Sequence, residues 1–384
     1  MFNFDEIIDR RDTLSIKYDY AARRGRPADV FPMWVADMDF RAPPCVAETL
    51  SERVAHGIYG YSDTDAAYDR AVSDWFLRRH GWEVSPEWNC VTPGVVPALH
   101  LAVRAFTGPG DGVLIQPPVY YPFSEAVGSQ GRRLVTNELV LNGGKYEIDF
   151  ADFEEKAKSA ELFILCSPAN PAGRVWTRDE LTRLGEICLK YGLVVISDEI
   201  HADFVYSGSR HSVFAGLSEK FADITVTCTS PSKTFNLAGL MHANIFIKNP
   251  ALRRAFRREY SAAGLSQGSV MGIAACRAVY ERGEPWLAEL LAYLGGNLRL
   301  AADCFADGKL RLVRPEGTYL LWLDCRALGL PPAELDRKIL GGLKLWLDDG
   351  AMFGSGGEGF TRLNMALPRS RLADALSRFS ALKN

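Results

Sequence analysis

The middle of the chain alternates short apolar runs with longer amphipathic stretches. Runs at 113–116, 162–166, 193–197, 224–228 and 243–248 have the length and composition of buried strands. Between them, 178–191 repeats apolar residues at helical spacing, and a basic amphipathic helix is predicted from about Pro250. Apolar strands separated by helices predict an α/β fold, a largely parallel sheet packed between helices. Polar residues collect just past successive strands: Pro117 to Tyr120, Ser167 to Pro171, Asp198-Glu199, and Ser230-Pro231-Ser232-Lys233. In open α/β sheets that edge is where ligands bind.

The C-terminal third has a different rhythm. Helical stretches near 283–306 precede Thr318-Tyr319-Leu320-Leu321-Trp322-Leu323, which alternates like a half-buried strand. A Gly-rich turn at 354–357 leads into Phe360-Thr361-Arg362-Leu363-Asn364, and a helix is predicted from about Ser370. The expected organisation is a large domain over 46–282 and a smaller α+β domain over 283–384, with residues 1–45 packing on the small domain. A length of 384 residues suits two domains.

Composition narrows the function. Net charge is −3, so there is no basic surplus to draw in nucleic acid or an anionic membrane. The N-terminal MFNFDEIIDRRD lacks the apolar core of a signal peptide and no apolar run is long enough to span a bilayer, so a cytoplasmic protein without a DNA-binding extension is expected. Eight cysteines are spread singly, without CxxC or Cys/His spacing; no metal site or disulfide framework is indicated, and they read as small core residues.

Several strand-end residues carry chemistry. Lys233 among small hydroxyl residues can form an imine if its amine is held neutral, and Ser230 and Ser232 can donate to a phosphate; a solvated loop lysine is the plainer alternative. Asp198 can cap a helix or pair with a protonated pyridine nitrogen. Gly94, Val95 and Val96 lie at a strand–turn–helix junction whose free N–H groups can hold phosphate. Tyr120 can lie flat on a ring, Asn170 can donate to a ring oxygen or a carboxylate, and Arg362 can clamp an α-carboxylate bidentately; a core tyrosine, a turn-forming asparagine and an exposed strand-end salt bridge are the plainer alternatives.

Taken in order, these motifs resemble the fold type I pyridoxal 5′-phosphate (PLP) enzymes, the aspartate aminotransferase superfamily, over nearly the whole chain. Within it the chain is similar to the cystathionine β-lyase (C–S lyase) group typified by MalY, PatB and cystalysin. The strings that carry this are FPMWVADMDF (31–40), Tyr59-Gly60-Tyr61, CSPANPAGRVW (166–176), SDEIH (197–201) and SKTFNLAGL (232–240). The resemblance implies a large domain with a mostly parallel seven-stranded sheet and a smaller α+β domain. It implies that Lys233 is the Schiff-base lysine, Asp198 the pyridine-nitrogen partner, Tyr120 the stacking ring and Asn170 the ring-oxygen donor. Gly94, Val95, Val96, Ser230 and Ser232 would bind phosphate, joined by Tyr61 from the other subunit of a homodimer. Arg362, with Asn170, Tyr61 and Trp34, would bind the amino-acid substrate; Tyr59 and Phe353 are further candidates for the pocket wall.

Two positions depart from the transaminase pattern. His201 stands three residues after Asp198, where many relatives bond the ring oxygen through a tyrosine; a structural histidine is the alternative there. Met241 stands eight residues past Lys233, in place of a phosphate-binding arginine. Both fit the lyase branch. The expected reaction is α,β-elimination from a β-thio amino acid, with Lys233 as base and Tyr120 as candidate donor to the leaving sulfur. An aminotransferase is the alternative reaction, and a regulatory binding protein on the same fold the alternative class.

Overall fold

The computed structural model describes residues 2–383. Its largest sheet contains β1 (Asn89–Thr92), β2 (Gly112–Ile115), β3 (Arg133–Thr136), β4 (Leu162–Cys166), β5 (Val194–Asp198), β6 (Thr225–Thr229) and β7 (Ala243–Ile247). Their order is β1-β7-β6-β5-β4-β2-β3, and β7 alone runs against its neighbours. The central strands read as apolar runs because both faces are covered. Leu162 and Ile164 of β4 join one apolar cluster, while Phe163 and Leu165 join another on the opposite face.

β4 has the bounds of its apolar run, and the other four strands begin or end a residue away from theirs. Asp198 and Thr229 extend β5 and β6 because the ladder continues into the polar strand ends, Cys166 pairing with Asp198 and Asp198 with Cys228. The helix Arg178–Tyr191 has the predicted bounds. It starts on a reciprocal Thr177–Glu180 capping box and stops at Gly192, which has φ 74°. The edge strand β3 is absent from the hydrophobic pattern because it buries only Val135.

A second, antiparallel sheet contains β8 (Arg311–Val313), β9 (Leu320–Asp324), β10 (Asp348–Asp349) and β11 (Phe360–Asn364), in the order β8-β9-β11-β10. β9 is buried on both faces rather than one: Leu320, Leu321 and Leu323 join the main core, while Trp322 stacks on Phe360 at 5.0 Å. Phe31–Pro32 pairs in parallel with Leu345–Trp346, which ties the N-terminal segment to this half of the molecule. All eight cysteines are free thiols, seven of them buried. Among the described residues no helix is long and apolar enough to cross a membrane.

Candidate active site

A cavity of about 180 Å³ opens at the ends of β1, β4, β5 and β6. Ten of the residues singled out in the sequence line it together: Gly94, Val95, Val96, Tyr120, Asn170, Asp198, His201, Ser230, Ser232 and Lys233. The first turn after β6 presents Lys233. Ser230 caps that turn by accepting from the Ser232 N–H at 3.0 Å, and the partly buried Lys233 donates from Nζ to the Ala36 carbonyl at 2.8 Å.

Burial sets the electrostatics. Desolvation lowers the Lys233 amine to about 8; Asp37 opposes this, Arg362 adds to it, and Asp198 opposes it more weakly. Asp198, at the end of β5, is raised to about 7 by burial, against a hydrogen bond from the Ile200 N–H at 3.2 Å. Burial lowers His201 to about 3, so its ring is neutral, and its Nδ1 is buried without a hydrogen-bond partner. Tyr120 is pushed above the usual phenol range, also by burial.

At the other end of the cavity the helix Val95–Phe106 starts directly after Gly94. Glycine has no side chain to cap the first turn, which leaves the leading N–H groups for a ligand. Ser230 Oγ lies 2.8 Å from Ser232 Oγ and 2.6 Å from the His242 carbonyl oxygen. His242 also lines the cavity, and its Nδ1 is buried and unpartnered.

Arg362 lies behind Asn170 rather than on the cavity lining. Its Nη1 donates to Asn170 Oδ1 at 2.9 Å and its Nη2 to the Trp34 carbonyl at 3.0 Å and to Asp348, while buried Nε has no partner. Phe353 packs under the guanidinium at 4.8 Å. Trp34 reaches Arg362 through its backbone; its indole stacks on Trp346 at 4.5 Å. Tyr59 and Tyr61 lie outside the cavity, with Tyr61 97% exposed. Met241 is exposed, leaving Lys233 as the one Lys or Arg on the lining.

Sequence reasoning missed Ala36 and His242 as parts of the site. Ala36 lies in the string used as a family marker, but it contributes a carbonyl, which every residue has. His242 directly follows Met241, and its adjacency to a strand start was the available signal.

The residues present fit pyridoxal 5′-phosphate. A side-chain-free helix start and the Ser232 hydroxyl offer phosphate donors, the Ser230 proton going to the His242 carbonyl, and Asp198 offers a pyridinium partner. Lys233 offers an amine of lowered proton affinity, and His201 and His242, each with a ring nitrogen lacking a partner, line the same cavity. Fold and site together define an α/β enzyme that works through this cofactor. The chain belongs to the aminotransferase class I and II family, whose model matches residues 28–379. It is 46% identical over 384 residues to the cystathionine beta-lyase PatB of Bacillus subtilis, covering 99% of each chain. A PLP-bound putative aminotransferase from Clostridium difficile matches with a TM-score of 0.98 at 40% identity, both chains fully covered. Cystalysin from Treponema denticola, which contains pyridoxal 5′-phosphate, matches with a TM-score of 0.96 at 38% identity, covering 100% of this chain and 98% of its own.

Proposed function

We propose that the protein is a PLP-dependent carbon–sulfur β-lyase that converts cystathionine or a related β-thio amino acid to a thiol, pyruvate and ammonia. The observation that carries this reading is one cavity holding Lys233, Asp198 and an uncapped helix start, in a chain similar to PatB over its full length. When bound, PLP supplies an electron sink for charge developing at Cα. Val95 and Val96 N–H groups with the Ser232 hydroxyl would hold its phosphate, Asp198 its ring nitrogen, and Tyr120 its ring face. Asn170 and His201 would serve the ring oxygen.

Arg362 orients the substrate by its α-carboxylate, Asn170 and Trp34 holding the guanidinium in place. Lys233 Nζ, lowered to about 8, is largely able to accept the Cα proton in mildly alkaline solution. Tyr120, whose phenol keeps its proton, is the candidate donor to the departing sulfur. A cytoplasmic homodimer completes the reading: Tyr61, exposed beside Ile58 and Tyr59, would reach the partner's cofactor phosphate. The division into 1–45, 46–282 and 283–384 belongs to the same proposal.

The competing reading is an aminotransferase, favoured by the name of the Clostridium difficile protein. Cystathionine and the holoenzyme without any keto acid are expected to give pyruvate and homocysteine in equal amounts. No pyruvate under those conditions, with product appearing only after 2-oxoglutarate is added, would overturn the lyase reading.

A further inference from the structure

Beyond Trp34, whose carbonyl holds Arg362, residues 35–40 touch the proposed chemistry only through the Ala36 carbonyl, yet they are fixed with unusual thoroughness. Asn364, at the end of β11, donates from Nδ2 to the Val35 and Asp37 carbonyls at 2.7 and 2.5 Å. Asn236, three residues past Lys233, accepts from the Met38 N–H at 2.9 Å and donates to the Met38 and Phe40 carbonyls at 3.0 and 2.9 Å. Between these clamps the Ala36 carbonyl receives two donors, Lys233 Nζ at 2.8 Å and Tyr319 Oη at 2.9 Å.

Asp37 follows directly. Its carboxylate accepts from Arg10 Nη1 at 3.1 Å and Nη2 at 2.7 Å, with Lys17 Nζ 3.6 Å away. Lys17 is 2% exposed and also meets Asp39 at 3.0 Å; Arg10 meets Asp39 at 2.7 Å, and Tyr18 Oη donates to Asp39 at 2.8 Å. Arg10, Lys17, Asp37 and Asp39 therefore form a cluster of zero formal charge, joined to the active-site amine through Ala36, the residue before Asp37, whose carbonyl holds that amine. Removing one member leaves a net charge there, poorly screened by solvent.

We propose that Asp37, held by Arg10 and Lys17, is a positioning residue that keeps the Lys233 amine on the Ala36 carbonyl and sets its proton affinity whenever that amine is not bonded to the cofactor. The proposal rests on Lys233 being the base of the reaction. The other groups around this amine are Asp198 and His201 from the end of β5 and beyond, Arg362 from β11, and the phenols of Tyr120 and Tyr319. Among the charged neighbours that act on Lys233, Asp37 ranks ahead of Arg362 and Asp198, and it opposes the desolvation that lowers the amine to about 8. His201 is neutral and both phenols keep their protons, so none of the three substitutes for the carboxylate.

The test titrates Lys233 in the full-length, cofactor-free protein by its rate of trace acetylation with acetic anhydride across pH, read from the mass of the peptide carrying it. Asp37→Asn is expected to lower the midpoint by about one pH unit and Lys17→Met to raise it by about as much, since they remove charges of opposite sign. Asp37→Glu keeps the charge and is expected to titrate near wild type. One midpoint for all four proteins, or shifts of the same sign in Asp37→Asn and Lys17→Met, would overturn the proposal, because a loosened site moves both alike. If Asp37→Asn does not fold, the direction of the Lys17→Met shift decides. No substrate or turnover enters the measurement, so its failure leaves the lyase reading standing.

Discussion

Asp198 shows what a single group costs when it waits for a charged ligand. Its folded value of about 7 exceeds the usual carboxylate value, so the folded chain holds a proton that the unfolded chain has lost. That relative stability is present in full below the unfolded value near 4 and is lost as pH rises through about 7. In the cofactor-free protein, Asp198→Asn is therefore expected to be stabilising at pH 8, by up to about 4 kcal/mol, with the gain fading toward pH 4. Denaturant melts of both proteins at the two pH values check this; a gain independent of pH would show that the carboxylate is not the cause. The same variant is expected to lose most β-elimination activity, measured as pyruvate release. Asp198 and Lys233 were legible in the sequence because their chemistry is in the side chain and each follows an apolar strand. Ala36 was not, since a carbonyl acquires its role only from what folds against it.

Among the elements, central strands were legible and edges were not. β4 is buried on two faces and spells a continuous apolar run, and the equally buried β5 and β6 keep an apolar residue at most positions or at every second one, whereas β3 buries a single residue and β10 is two residues long. Arg362 was identified by type, but its placement depends on Asn170 and Trp34, partners far away in sequence that no local pattern reveals. Close contact between elements is equally silent. Gly317, entering β9, bridges to Val205 in the segment after His201, and an added Cβ would fall 2.6 Å from the Phe204 oxygen and 2.8 Å from Val175 Cγ2. Gly317→Ala must push this contact apart, and with it Tyr319, which bonds the Ala36 carbonyl. A loss of about 1–3 kcal/mol is expected, read as a lower melting temperature. Gly341→Ala, in a helical turn where a Cβ meets nothing within 4 Å, is the control expected not to lower it.

For the whole molecule, the proposed dimer gives the exposed 58–61 segment a purpose. Sedimentation is expected to show a mass of two chains, and Tyr61→Phe to keep that mass while weakening PLP retention several-fold on dialysis. A monomeric wild-type protein, or unchanged retention in the variant, would count against the cross-subunit role. Sheet order has a different consequence, one of timing. β1 leads directly into the helix start proposed to receive the phosphate, yet among the described residues its only neighbour in the sheet is β7, with Val91 opposite Asn244. During synthesis that neighbour emerges about 150 residues later, roughly 10–30 s at ordinary elongation rates. The nascent chain therefore carries Gly94 to the ribosome exit well before the strand that pairs with β1 exists. Capture of the vitamin-derived cofactor must wait until most of the polypeptide has been made.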